Sequence, residues 1–305
     1  MQVMRNTLLY LAKSQSSNAL AKRYGLRLGA NRFVAGETIE AAVQAVKTLN
    51  QKGILATLDH LGEFVGSEEE AKASAEACLR TLDAIQENEL HSHLSLKLTQ
   101  LGLDISRDLC LSNLRRILAR AKQYGTFVRI DMEDYAHNEI TIELFKILRR
   151  EFGETVGLVI QAYLYKSEQD IADLNEFHPN LRLVKGAYKE PSSVAFPDKA
   201  DVDKNFVKLI DQHLLNGNYT AVATHDEAII RHVQQWVIDR SIPRSQFEFQ
   251  MLYGIRTPLQ VDLATEGYTV RVYVPYGVDW YGYFMRRLAE RPANVGFVVK
   301  SMFKH

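Results

Sequence analysis

The chain carries no excess of charge of either sign: Lys and Arg number 37, Asp and Glu number 37, and the formal net charge is zero. That absence argues against general nucleic-acid binding, which runs on a surplus of positive charge, although a local cluster could still steer a small ligand. Cysteine is scarce. Cys78 and Cys110 each lie inside an amphipathic, helix-periodic stretch, so they read as reduced core thiols of a cytosolic protein rather than a disulfide framework. No run approaches the ~18 apolar residues that a spanning helix needs. The first residues lack a charged region followed by a long apolar one and a small-residue cleavage site, so no signal peptide is expected. No low-complexity tract and no Pro-, Gly- or Ser-rich linker divides the chain. What remains, at 46% hydrophobic and 24% charged residues, is the composition of a soluble globular protein.

Short β-rich runs alternate with longer helix-periodic ones. The eight runs start at Ile54, His93, Phe127, Gly157, Leu181, Thr220, Phe247 and Thr269. Between them lie segments such as "SEEEAKASAEACLRTLDAIQEN" and "HNEITIELFKILRREFG", with apolar residues three and four apart. Gly53, Gly125 and Gly153 fall where helices should stop. Strict alternation implies right-handed crossovers and a parallel sheet, and eight units in about 240 residues match a closed (β/α)8 barrel. The competing open, doubly wound sheet would carry a GxGxxG turn after an early strand, and none occurs. The expected fold is therefore α/β: a TIM-type barrel over residues 53–305, with an N-terminal helical cap over residues 1–52.

In such barrels the chemistry sits at the C-terminal strand ends, and here those ends are polar. Asp59 and His60 close the first strand, Lys97 the second, Asp131 and Glu133 the third, Gln161 and Tyr163 the fourth. Lys185 and Tyr188 follow the fifth, Thr224, His225 and Asp226 the sixth, Gln250 the seventh, Tyr273 and Tyr276 the eighth. Alternation along a strand puts Arg129 with Asp131, Ser95 with Lys97 and Val159 with Gln161 on the lumen side. Charges there must be paired or bind something. Lys97 with Asp131 alone could be a structural ion pair; the whole set points to a site. Narrower readings stay open on these residues. His91 and His93 resemble a metal pair but sit at the start of their strand, on the stability face. Asp59, His60 and Thr224 to Asp226 could serve a metal-dependent hydrolase, though such sites want more converging ligands. Lys185 could form a Schiff base or hold a phosphate or ring oxygen. Gly186 and Ala187 remove bulk where a flat or phosphorylated ligand would approach the backbone.

Six stretches in order, "SLKLTQLG", "RIDMED", "RLVKGAY", "ATHD", "FEFQMLYG" and "YVPYG…YFMRRLAERPAN", resemble the proline dehydrogenases, in particular the short monofunctional bacterial members. The resemblance runs from about residue 50 to the end. It implies a (β/α)8 barrel with non-covalent FAD that oxidises L-proline to Δ1-pyrroline-5-carboxylate and passes electrons to a quinone-type acceptor. By the same resemblance, Arg286, Arg287 and Lys97 bind the substrate carboxylate. Tyr273, Tyr283 and Leu252 surround the proline ring, with Tyr188 and Glu290 in the same site. Asp131 is the active-site aspartate near the lysine and the amine, and Arg182 lies near flavin N5. Met132, Gln161, Lys185, Gly186 and Ala187 contact the flavin, while Thr224 and His225 lie near its phosphate or adenosine portion. Asp131 either accepts the amine proton or tunes Lys97 and positions the ring; these residues alone do not choose. No metal and no nucleic acid are expected. The implied location is the cytoplasm, with peripheral contact at the inner face of the membrane; the helix from Asn6 could contact a membrane or a partner, although core packing is the favoured reading.

Overall fold

The computed structural model describes residues 30–62 and 64–290, and of Ala289 and Glu290 the backbone alone. Eight parallel strands close on themselves in chain order. They are β1 (Leu55–His60), β2 (Ser92–Leu96), β3 (Val128–Ile130), β4 (Val156–Gln161), β5 (Leu181–Val184), β6 (Thr220–Ala223), β7 (Phe247–Leu252) and β8 (Val270–Tyr276). Each matches one of the eight β-rich runs, β2 and β4 starting one residue earlier than expected. Outward residues such as Leu58, Leu94, Ile130, Leu158, Leu183, Val222, Phe249 and Val272 are fully buried against the helices. Their neighbours along each strand point into the lumen, as the period of two dictates.

Nine α-helices lie among the described residues: α1 (Ile39–Asn50), α2 (Glu68–Glu87), α3 (Arg107–Tyr124), α4 (Tyr135–Phe152), α5 (Ser167–Leu174), α6 (Lys199–Leu215), α7 (Glu227–Asp239), α8 (Thr257–Thr265) and α9 (Trp280–Glu290). Their ends follow local chemistry. Ser67 and Ser106 accept from the backbone N–H of Glu70 and Leu109 at 3.2 and 3.3 Å, caps of about 1 kcal/mol each. Gly125 ends α3 in the left-handed region at φ 67°, where a side chain would be strained.

The described part of the N-terminal segment divides in two. α1 packs against β1 and β8, and its buried Ala42, Val43, Val46 and Leu49 join the barrel core. It thus fills the outer-ring place between the last strand and the first. Ala30, Phe33 and Val34, just before it, pack instead on α9 at the barrel mouth. Trp280, fully buried, donates to Glu37 Oε1 at 2.9 Å and ties the two together. Because α1 holds the ring position, α9 lies across the strand ends, against Leu61, Ile255, Leu252 and Tyr273. The first 29 residues, including the helix expected from Asn6, lie outside the described residues.

Candidate active site

The site is built from inward residues at or near the C-terminal ends of five strands. Lys97 follows β2, and its ammonium donates to Asp59 Oδ2 on β1 and Asp131 Oδ2 after β3, each at 3.3 Å. The backbone N–H of Asp131 donates to Leu96 O at 2.8 Å; this extra rung beyond the ladder seats the carboxylate beside Lys97. From β5, Arg182 Nη1 reaches Asp131 Oδ1 at 2.7 Å, and Ser95 donates to the same oxygen at 2.6 Å. From β8, the Tyr273 hydroxyl lies 2.5 Å from Asp59 Oδ2 and 2.9 Å from Asp131 Oδ2. It has one proton for two carboxylates. The Arg182 guanidinium also stands over the Tyr273 ring, 5.2 Å from its centroid.

The two aspartates are pushed apart electrostatically. Burial raises the Asp59 carboxyl, and the Asp131 charge adds to this, more than Lys97 offsets. Burial acts on Asp131 too, but Lys97, Arg182 and the hydrogen bonds from Ser95 and Tyr273 outweigh it and hold that carboxyl below its ordinary value. Asp131 is therefore the ionised member and Asp59 the one biased towards holding a proton. Asp59 Oδ1 is buried without a hydrogen-bond partner, which an added proton there would relieve only if it found an acceptor. Burial, then the two carboxylates, lifts the Tyr273 phenol well above its usual value, so it serves as a neutral donor.

Above this cluster, α9 brings Tyr283, Arg286 and Arg287 onto consecutive turns of one helix. The Arg287 guanidinium stacks on Tyr283, 5.1 Å from the ring centroid. α9 meets Leu252 and Tyr273 within one apolar cluster, which places the arginines' helix over the strand ends. Glu290 closes α9; its side chain lies outside the described residues.

The third group lines the β4 to β6 side. Gln161 donates through Nε2 to the carbonyls of Met132 and Glu133 at 3.4 and 3.0 Å, while its Oε1 is buried and has no partner. A buried acceptor without a donor suits a ligand N–H. Gly186, at φ 108°, sits where any Cβ would run into the Tyr163 ring, so glycine is required there and the turn on to Ala187 carries no more than a methyl group. Lys185 is paired with Asp203 and Asp226 at 2.6 and 3.2 Å. Tyr188 packs beside Tyr163, Leu164 and Ala195. His225 Nε2 accepts from the backbone N–H of Leu252 at 3.0 Å, and Thr224 Oγ1 accepts from that of Asp226 at 3.1 Å. With its buried acceptor and small-residue turn, this wall fits a flat, hydrogen-bonding ring system with a polar tail.

Sequence reasoning placed Asp59, Ser95 and Gln250 at strand ends or on the lumen side without giving them a part in this site. Register was the missing signal: Asp59 pairs with Ser95 across β1 and β2, and with Pro275 across β1 and β8, which puts it between Lys97 and Tyr273. His60 turns away, edge-on to Tyr276 with centroids 5.3 Å apart, so Asp59 and His60 do not converge. His93 lies near Phe127, Arg271 and Glu248 towards the opposite end of the lumen.

A parallel barrel with ionised groups and an aromatic lining at its C-terminal mouth, and a helix bearing a cation pair packed over it, defines a small-molecule enzyme of the TIM-barrel class. A profile of the family described as proline dehydrogenase matches residues 42–300. Proline dehydrogenase 1 of Bacillus subtilis (strain 168) is 56% identical over 302 residues, 99% of this chain and 100% of the relative. The proline dehydrogenase of Deinococcus radiodurans is 49% identical over 307 residues, 99% of each chain. Among solved structures, proline utilization A (PutA) from Bdellovibrio bacteriovorus superposes with a TM-score of 0.81 at 27% identity, over 90% of this chain and 34% of that one. The chain belongs to the proline dehydrogenase family.

Proposed function

We propose that this enzyme carries out the first step of proline catabolism, the oxidation of L-proline to Δ1-pyrroline-5-carboxylate, with non-covalently bound FAD. When bound, FAD supplies the acceptor, at flavin N5, for the hydride leaving proline C5, and the electrons pass on to a quinone-type acceptor. The observation that carries this reading is the joint placement of the α9 arginines and the Lys97–Asp131–Arg182–Tyr273 cluster at one mouth.

On this reading Arg286, Arg287 and Lys97 bind the substrate carboxylate, each charge-assisted contact contributing about 1.5–3 kcal/mol. Glu290 pairs with the arginine doublet, and Tyr273, Tyr283, Leu252 and Tyr188 enclose the apolar ring. The ring nitrogen can release electron density only as the neutral amine. Asp131, ionised beside Lys97 and Arg182, is placed to receive or hold the amine proton, with Asp59 as the carboxyl biased towards keeping one. Met132, Gln161, Arg182, Lys185, Gly186 and Ala187 would hold the isoalloxazine, and Thr224 and His225 the phosphate or adenosine portion. The partnerless Gln161 Oε1 and the bare Gly186 turn support that assignment. We place the protein at the cytosolic side of the membrane, in peripheral contact with it.

Adding proline to the purified protein under anaerobic conditions tests the reading. Flavin absorption bands that bleach on addition are the expected result. A protein without flavin bands, or bands that proline leaves unchanged, would overturn it.

A further inference from the structure

Below the site a chain of buried polar side chains runs down the lumen, and its hydrogen bonds have forced directions. Glu248 on β7 accepts from Arg271 Nε through both oxygens, at 2.8 and 3.1 Å, and from the Tyr219 hydroxyl at 3.0 Å. Burial opposes its ionisation, but Arg271 dominates and brings the carboxyl down to about 2. As a carboxylate it can only accept. Gln250, two residues on and on the same lumen side, must therefore turn Nε2 towards Glu248 Oε1. That leaves Gln250 Oε1 facing up, where it accepts from Arg182 Nε at 2.6 Å. With one edge fixed, the Arg182 guanidinium presents Nη1 to Asp131 Oδ1 at 2.7 Å and Ser95 Oγ at 3.3 Å. Glu248, Gln250, Arg182 and Arg271 are each at least nine-tenths buried, so water cannot substitute for a missing partner.

We propose that Gln250, oriented by Glu248, is a positioning residue: it locks the Arg182 guanidinium in the orientation that Asp131 and the reacting ring require. A reversed Gln250 amide would set N–H against N–H at Arg182, and the charged Glu248 is what forbids that reversal. This rests on the proposed proline oxidation for its kinetic consequence and on geometry alone for the placement of Arg182.

The test has a structural arm and a kinetic one. In a crystal structure of Gln250→Leu the guanidinium should leave Asp131 by more than about 1 Å, a displacement large enough to matter for catalysis; a guanidinium that stays would overturn the proposal. Kinetically, Gln250→Leu should lower kcat for proline about ten- to a hundredfold with KM within about twofold. In an Arg182→Met background it should cost nothing further, because the group it positions is gone. The same fold-loss in both backgrounds would mark a merely structural role and overturn the proposal. Should Gln250→Leu not fold, Gln250→Glu decides: alone it sets two carboxylates face to face and should lower kcat. Combined with Glu248→Gln it restores net charge and an acceptor for every donor, and should return kcat to within about threefold of wild type. No recovery in the combined variant would sink the idea. A wild-type protein inactive on proline, whose guanidinium nevertheless moves in Gln250→Leu, would refute the reaction and uphold the positioning.

Discussion

Replacing Lys97 with methionine should destabilise the protein in a way that depends on pH, and the size of the effect follows from Lys97 and its two aspartates. The Lys97 ammonium lies 3.3 Å from both Asp59 and Asp131, with side chains only 12%, 1% and 12% exposed. At an effective dielectric constant of about 20, the contact with the ionised Asp131 is worth roughly 5 kcal/mol of Coulomb attraction, and the contact with Asp59 less by the fraction that holds a proton. Part of that offsets the desolvation of the ammonium, so removing one partner of such a buried group typically leaves a net loss of about 3–5 kcal/mol. Asp131 keeps Arg182; Asp59 keeps only the Tyr273 hydroxyl. Asp59 is already raised by burial, and without Lys97 it rises further and takes a proton. A carboxyl whose folded pKa lies above its unfolded value, about 3.9, contributes stability that is fully present below that value and lost as pH rises through the folded pKa. The loss in Lys97→Met relative to wild type should therefore be about 2 kcal/mol smaller at pH 5 than at pH 8. Urea unfolding followed by tryptophan fluorescence at the two pH values measures it. Equal losses at pH 5 and pH 8 would refute the reasoning, as would a pH dependence that survives adding Asp59→Asn.

Three further outcomes are expected. Arg287→Ala, which removes the guanidinium stacked on Tyr283, should raise the KM for proline at least about tenfold, equivalent to one charge-assisted contact, with flavin still bound; steady-state kinetics and the absorption spectrum check both halves. His137 is held between Asp104 and Asp134 at 2.7 and 2.5 Å, and although burial opposes its charged form, these two bonds raise its pKa. Its contribution, about 0.5–1 kcal/mol, is full below about pH 6.5 and lost as pH rises through the folded value; thermal melts from pH 6 to 9 should show that slope in wild type and not in His137→Gln. Gly186→Ala should cost about 2–4 kcal/mol or prevent flavin retention, since φ is 108° and the new Cβ meets the buried Tyr163 ring; a variant with wild-type melting and flavin content would contradict it.

Much of this was legible in the sequence because the physics behind it is local. A period of two along a strand is set by the backbone, so the inward positions of Ser95, Lys97, Arg129, Asp131 and Gln161 could be counted off without a structure. The same holds for the helix end at Gly125, which acts within one turn. The site's outline followed from the rule that barrel chemistry gathers at the C-terminal strand ends. The roles of Asp59 and Gln250 were hidden because both are partners of partners. Nothing near Asp59 in the chain says that it faces Tyr273, 214 residues away, and nothing near Gln250 names Arg182, 68 residues back.

The sequence by itself determined eight strands, their order, the lumen-facing residues of the second, third and fourth, and a basic, aromatic segment after the last. Only the tertiary structure decided which polar ends meet. Closing the barrel through β1 and β8 is what sets Asp59 between Lys97 and Tyr273. It also decided the fate of two amphipathic helices. An apolar face states that a helix will be buried, never against what, and because α1 occupies the ring place on β1 and β8, α9 is left to lie over the mouth with its two arginines.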